Sequence, residues 1–386
     1  YEEAAAVIRE KLPFPKSLGH VCSHVCESQC RRKEVNEAVS IRNIKRYAME
    51  HDTGKYWKHS GKQLPDTGKK VCIIGAGPAG MTAAYYLRKQ GHIVTVKEAL
   101  PKAGGMLQYG IPSYRMPREI VDEEIDFMLQ TGITLETDTR VENVTELKKE
   151  YDAVLVAIGN HTGTLLPMEG NDASGILLNI DFLRNASMGN DTGMGKKVIV
   201  LGGGNVAFDC ARTARRIGAE EVHVACLEAR DKMTADEEEI EQAQEEGIQV
   251  HPAQSFEKIL KDSDNKVSGV AFSDILSFTF DENRRAIIEK AEDSYHEIEA
   301  DTVIFAVGQR CGLSPEAGME RERANSIKAD EKTLETDIAG VFACGDVTYG
   351  TKSVILAIAD GRKAAESIDK YLGGDGDISE VLAPVE

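Results

Sequence analysis

The sequence predicts an α/β fold, with two Rossmann-like dinucleotide-binding domains preceded by a small helical module. Three observations predict it. The apolar run Val71-Cys72-Ile73-Ile74 breaks into Gly75-Ala76-Gly77-Pro78-Ala79-Gly80, which has the spacing GxGxxG. A second run, Val198-Ile199-Val200-Leu201, breaks in the same manner into Gly202-Gly203-Gly204-Asn205-Val206-Ala207. Upstream of both, Cys22, Cys26 and Cys30 lie in a short segment flanked by helical periodicity. Continuous apolar runs of this length read as strands buried on both faces of a parallel sheet. Glycines at the following turn let the backbone N–H groups of a helix N-terminus face a pyrophosphate.

The chain has 386 residues, 41% hydrophobic and 28% charged, enough for two or three domains with their own cores. With 46 Lys and Arg against 64 Asp and Glu, the net charge of −18 repels polyanions and argues against nucleic acid or an acidic membrane surface as partner. No apolar run approaches the roughly eighteen residues of a membrane span, and no signal-peptide pattern is present, so a cytoplasmic location without membrane insertion is expected. Eight cysteines without a secretory signal favour free thiols or metal ligation over disulfides. The chain opens at Tyr1 inside a helical pattern, which suggests a fragment or processed form.

The first domain, 1–62, begins with helical periodicity over 2–11, is broken by Pro13 and Pro15, and resumes as a helix over 40–50. Between them, Cys22-x3-Cys26-x3-Cys30 can offer three soft ligands to an iron–sulfur cluster or to zinc, with His24 as a possible fourth; buried thiols fit the same spacing. A polar linker follows, punctuated by Gly61, Pro65 and Gly68.

The second domain is expected over 69–190 and 325–386. After Gly80, Ala84 lets helix and strand approach, Gly91 ends the helix, and a strand over 92–96 leads to Glu98, placed where an acid reaches a ribose 2′-hydroxyl. Residues 104–112 are too rich in breakers for a helix and read as a loop. A strand over 151–158 ends in Gly159.

The third domain, 191–324, repeats the plan. Its cradle is followed by Gly218 at a helix end, a strand over 222–226 and Glu228, then an acidic helix over 236–246 and a hairpin over 267–288. The strand over 302–307 ends in Gly308 as the earlier one ends in Gly159. Past it, a buried strand delivers Gly345-Asp346, either an acceptor for a cofactor hydroxyl or an ordinary turn, and a helix runs over 353–372.

These motifs together resemble the two-dinucleotide-binding-domain flavoproteins, and most closely the glutamate synthase small (beta) subunit and its relatives. The resemblance rests on residues 104–112, on 202–209 with Cys210-Ala211-Arg212-Thr213, and on 346–365. It implies FAD in the first unit, with the pyrophosphate at Gly75, Gly77 and Gly80, the ribose on Glu98 and the ribityl chain near Gly345 and Asp346. The loop carrying Tyr109 and Ile111 would lie by the flavin ring, with the helix at Ser353 pointing its positive end there and Gly105, Met106 and Gly159 also binding the cofactor. In the second unit it implies a nicotinamide dinucleotide on Gly202, Gly204, Asn205, Ala207 and Gly308. No side-chain nucleophile is required, because hydride transfer needs positioning of two cofactors.

Two positions depart from the family pattern. Relatives using NADPH commonly read Tyr-Arg-Arg where this chain has Cys226-Leu227-Glu228, and a carboxylate suits a free 2′-hydroxyl. NADH is therefore expected over NADPH, with Arg230 available to a phosphate. Family members also ligate two 4Fe-4S clusters with cysteines upstream of this module as well as within it, and Lys45 stands where many relatives carry Glu or Gln, so neither ligand set is complete. Cys72, Cys210, Cys226, Cys311 and Cys344 read as core thiols, and no Cys-x-x-Cys marks a disulfide reductase.

The resulting expectation is a flavin-dependent NADH oxidoreductase. It would pass electrons through FAD and iron–sulfur clusters to a partner redox subunit or ferredoxin-like carrier, within a hetero-oligomeric complex. An NADPH-linked glutamate synthase small subunit and a non-catalytic electron-wiring subunit are the alternatives.

Overall fold

The computed structural model describes residues 1–58, 63–282, 286–312, 318–322 and 325–384. Gly61 and the expected boundaries at 62, 324 and 386 lie outside the described residues. The chain divides into two compact units, one made of Tyr1–Gln108, Ser113–His161 and Arg310–Glu386, the other of Tyr109–Pro112 and Thr162–Gln309.

Each unit is built on a five-stranded parallel sheet. In the first the order is Val341–Ala343, Ala153–Val156, Lys70–Ile74, Ile93–Lys97 and Thr134–Glu136. In the second it is Ile176–Leu178, Thr302–Phe305, Lys197–Leu201, Glu221–Ala225 and Gln249–His251. The strand that feeds the glycine turn is central in both, and the chain order reverses beside it, so the turn opens at the crevice where α/β sheets take their ligands. Val71, Cys72, Ile73 and Val198 through Leu201 are fully buried, as a strand covered on both faces requires.

Residues 162–190, expected with the first sheet, belong to the second unit. The reason is a strand the glycine pattern did not mark: Ile176–Leu178 pairs in parallel with Thr302–Phe305, and the Asn179–Met188 helix places Phe182 and Leu183 in the second core. An antiparallel ribbon, Gln254–Lys261, Val267–Phe280, Ala286–Lys290 and His296–Glu299, inserts between the last two strands of that unit's plan and includes the expected hairpin. Residues 104–112, expected as a loop throughout, contain one helical turn, Met106–Tyr109. Among the described residues no helix is long and apolar enough to cross a membrane.

The amino-terminal module consists of the Glu2–Arg9, Pro15–Val21 and Ile41–Glu50 helices with short turns between. It is tied to the rest of the first unit by buried groups. Glu124, on the Arg118–Leu129 helix, accepts hydrogen bonds from the Ser17 hydroxyl at 2.5 Å, the Ser17 amide at 3.1 Å and the Lys16 amide at 2.6 Å. It thereby caps the Pro15–Val21 helix from outside, where Phe14 offers no cap of its own. Nearby, the Arg9 guanidinium lies 3.5 Å over the Trp57 ring, and the Trp57 indole donates to Asp52 at 2.7 Å.

Burial pushes the Glu124 carboxyl up from its ordinary 4.5 to about 7, against the pull of its donors and of Arg9. The folded chain therefore holds this proton between roughly pH 4.5 and 7 while the unfolded chain releases it, so its contribution to stability falls as pH rises through that window. Glu124→Gln keeps an acceptor and removes the titration. Urea midpoints across this range are expected to fall more steeply with pH in the wild type than in Glu124→Gln; parallel profiles would contradict the assignment.

Candidate functional site: two glycine cradles

The two cradles are constructed alike, down to individual hydrogen bonds. The Gly75 amide donates to the Lys97 carbonyl and the Gly202 amide to the Ala225 carbonyl, each at 2.8 Å. The Ala157 amide donates to Ile74 and the Ala306 amide to Leu201, again at 2.8 Å. Both first glycines have positive φ, +102° and +144°, and a Cβ on either would strike the carbonyl oxygen of the adjacent strand end, 2.6 Å away at Ala157 or 2.5 Å at Ala306. Only glycine meets both conditions.

Gly77 and Gly204 each occupy the N-cap of the following helix, Pro78–Lys89 and Asn205–Arg216, without a side-chain cap. The first-turn N–H groups of a helix have no helical acceptor, and here no side chain of the capping residue claims them. A Cβ at Gly77 would meet only the Gly105 Cα, at 3.8 Å, which leaves open space where a ligand's phosphates could stand. Gly80 is closed by contrast: a Cβ there would lie 2.0 Å from the Gly75 carbonyl oxygen. In the second unit the matching position is Ala207, fully buried.

Around the first cradle several expected residues come together. The Gly104 amide donates to Ala76 at 2.8 Å, and a Cβ at Gly105, where φ is +54°, would stand 2.8 Å from the Gly77 Cα, so residues 104 and 105 lie against the glycine turn with Met106 just beyond. Glu98 is buried beside it; its carboxylate accepts from the Ala76 amide at 2.8 Å and the Leu100 amide at 2.9 Å. Burial raises the Glu98 carboxyl while those amides hold it down.

Gly345 has φ +77°, and a Cβ on it would lie 3.1 Å from the Ala79 side chain, so the Gly-Asp pair reaches the first cradle helix. Asp346 accepts from the Lys352 amide at 3.2 Å, and burial, with the Asp360 charge adding, pushes its carboxyl up to about 6. Ser353 is the uncapped N-cap of the Val354–Tyr371 helix, and Gly361 on that helix permits close approach to the Ala79 carbonyl. Gly159, at φ +63°, precedes Asn160, whose side chain donates to the Thr351 hydroxyl at 3.3 Å. Tyr109, buried, and Ile111, half-buried, fall in the Tyr109–Pro112 segment of the second unit.

At the second cradle, a Cβ on Gly203 would stand 2.9 Å from a carboxylate oxygen of Glu228. Glu98 faces Ala76 and Glu228 faces Gly203, the middle residue of the turn in each case. Arg230 forms a forked ion pair with Glu237. Gly308, at φ +114°, accepts from the Thr164 amide at 3.1 Å. The Asn205 side chain is engaged with Asp236, a partner that sequence spacing did not mark.

The cysteines separate into two groups. Cys72, Cys210, Cys226, Cys311 and Cys344 are buried, and burial pushes the Cys72 and Cys226 thiols up to about 12, which keeps them protonated. Cys22 and Cys30 are half-exposed and Cys26 exposed. The Cys30 thiol is lowered from its ordinary value by the Val39 amide, which donates to its sulfur at 3.5 Å. His24 turns toward Glu27, 3.6 Å away. Among the described residues no three His, Cys, Asp or Glu side chains converge on a metal-sized position, so Cys22, Cys26 and Cys30 supply suitable donor atoms without assembling them.

Comparison with known proteins follows this division. Residues 69–361 match the family model for pyridine nucleotide-disulphide oxidoreductase, and residues 1–57 match that for dihydropyrimidine dehydrogenase domain II, 4Fe-4S cluster. The chain is 37% identical over 407 residues to the NADPH-Fe(3+) oxidoreductase subunit beta of Geobacter sulfurreducens, covering 96% of this chain and 60% of that relative's length. It is 32% identical to the glutamate synthase [NADPH] small chain of Escherichia coli, covering 96% of this chain and 83% of the relative. It is 33% identical to the NAD-dependent dihydropyrimidine dehydrogenase subunit PreT of Escherichia coli, covering 97% and 86%.

The clash at Gly80 gives a direct test of the cradle. Because the atom it meets is backbone and cannot swing aside, Gly80→Ala is expected to destabilise the chain by about 1–3 kcal/mol in denaturant unfolding. An unchanged midpoint would show that the helix and turn are not in contact.

Proposed function

The chain belongs to the pyridine nucleotide-disulphide oxidoreductase family and is an FAD-dependent NAD(P)H oxidoreductase, and from that premise we propose that it takes electrons from NADH and delivers them to a partner redox subunit. The observation that carries the choice of NADH is the Glu228 carboxylate standing over Gly203. It repeats, in the second cradle, the position Glu98 holds in the first. A carboxylate accepts a hydrogen bond from a free ribose 2′-hydroxyl and repels a 2′-phosphate.

In this reading FAD is held at Gly75, Gly77 and Gly80, with Glu98 on its ribose, Gly345 and Asp346 along its ribityl chain, Gly105, Met106 and Gly159 also against it, and the helix at Ser353 with its positive end toward the ring. The pyridine nucleotide is held by Gly202, Gly204, Ala207, Glu228 and Gly308, with Asn205 opening the helix behind the turn and Arg230 available to a phosphate. When bound, the flavin supplies an acceptor that takes two electrons as a hydride and can release them singly. The chain's own work is to bind and orient. The uncapped helix starts at Gly77 and Gly204 offer amides and dipole to phosphates, and the turns at Gly75 and Gly202 bring backbone close enough for those amides to reach.

A second reading, an NADPH-linked small subunit feeding a glutamate synthase, draws on the NADPH in two of the relatives' names and on Arg230. Arg230 is paired with Glu237 in a solvent-exposed contact, which a phosphate could displace at little cost. A partner subunit is inferred because these relatives are named as subunits or small chains.

For the amino-terminal module the reading is a 4Fe-4S centre on Cys22, Cys26 and Cys30, from the donor chemistry and the match over 1–57. Among the described residues the three sulfurs are not gathered at one point. Metal analysis of anaerobically prepared protein is expected to find iron with acid-labile sulfide; zinc without sulfide would overturn the assignment.

The nucleotide choice is tested by stopped-flow flavin reduction with each nucleotide. NADH is expected to be preferred, and Glu228→Arg to move the ratio toward NADPH by tenfold or more, about 1.4 kcal/mol. Equal reduction of the wild type by both, or a ratio unmoved by the substitution, would leave Glu228 a surface residue of its loop.

A further inference from the structure

An aspartate placed to cap its own helix is paired instead with an asparagine that opens a neighbouring one. Asp236 occupies the N-cap of the Glu237–Glu245 helix and Asn205 is the first residue of the Asn205–Arg216 helix. Aspartate at an N-cap ordinarily accepts from an amide of its own first turn. Here it does not; the Asn205 side-chain amide donates to the Asp236 carboxylate at 3.2 Å, and the Asp236 backbone amide donates to the Asn205 side-chain carbonyl at 2.8 Å. A third bond runs parallel, from the Ala235 amide to the Gly203 carbonyl at 3.2 Å.

These three bonds lash the strap 233–236, through Ala235 and Asp236, to the glycine turn 203–205. The strap is held from behind as well, because Met233 and Ala235 pack against the core formed by Phe208, Ala211, Val224 and Ile240. Its outer face carries Thr234, whose hydroxyl oxygen would lie 3.4 Å from a Cβ at Gly204. Glu228 bounds the turn at Gly203, and the strap bounds it at Gly204. The width of the cradle between them is set by where the strap is held.

We propose that Asn205 and Asp236 are positioning residues whose reciprocal pair holds the 233–236 strap against the glycine turn and so sets the affinity of the second cradle for its dinucleotide. The inference rests on the reading of that cradle as a pyridine nucleotide site. It assigns Asn205 a role through Asp236 and the strap. It also accounts for the missing helix cap at Asp236, whose side chain is committed elsewhere.

The substitution Asn205→Asp nearly preserves volume but sets two carboxylates against each other across the clasp. Adding Asp236→Asn restores one donor and one acceptor with the polarity reversed. The experiment is calorimetric titration of the full, flavin-loaded chain with NAD⁺ and with NADP⁺, alongside thermal unfolding of each variant. Asn205→Asp is expected to weaken binding of the preferred nucleotide about tenfold, and the double variant to recover to within about threefold of wild type. Unchanged binding in Asn205→Asp, or a double variant no tighter than the single one, overturns the inference. A wild type that binds neither nucleotide contradicts the functional reading itself, and the inference with it.

Discussion

The first turn of a helix exposes N–H groups that nothing within the helix can accept, and this protein leaves that demand open at two half-buried places. Gly77 and Gly204 begin their helices without a capping side chain, immediately after a central strand. The rest of each unit follows from keeping that end accessible. The preceding glycine must adopt positive φ so that the chain can turn under the strand end, and the neighbouring strand must stop at Ala157 or Ala306, because its carbonyl already touches the turn. Strand order reverses at this point in both sheets. The demand is then available to a phosphate-bearing ligand.

Repetition of one solution makes the differences between the copies informative. Glu98 is locked by two backbone amides, so its carboxylate orientation is fixed before any ligand arrives. Glu228 faces the equivalent residue of the second turn, but its surroundings are supplied by a loop that runs through Arg230 to the strap at 233–236. The first cradle is braced by the Gly104-Gly105 turn and by the Gly345 segment; the second is braced by side-chain pairing. A cofactor that stays bound and one that exchanges each turnover place different demands on such walls, and the second cradle is the one whose wall depends on a separable contact.

Much of this was legible in the sequence because the constraints are local. Apolar runs ending in spaced glycines specify a strand, a turn and a helix over a dozen residues, and Glu98 and Glu228 sit at strand ends that periodicity alone marks. The parts that were not legible depend on pairing between distant segments. The three-residue strand Ile176–Leu178 is too short to show a period, and only its hydrogen bonds to Thr302–Phe305 assign residues 162–190 to the second unit. The Asn205 to Asp236 clasp and the capping of Lys16 and Ser17 by Glu124 span gaps for which no spacing rule exists. The cysteine motif shows the converse: Cys22, Cys26 and Cys30 are conspicuous in sequence, yet the fold does not bring them to one point.

Two separate cradles would let one chain hold two dinucleotides that do not compete. Equilibrium dialysis of the purified chain against FAD and NAD⁺ together tests it most directly. One of each is expected to be bound per chain, with FAD retention unaffected as NAD⁺ is raised to saturation. Displacement of FAD by NAD⁺, or a total of one dinucleotide per chain, would contradict it.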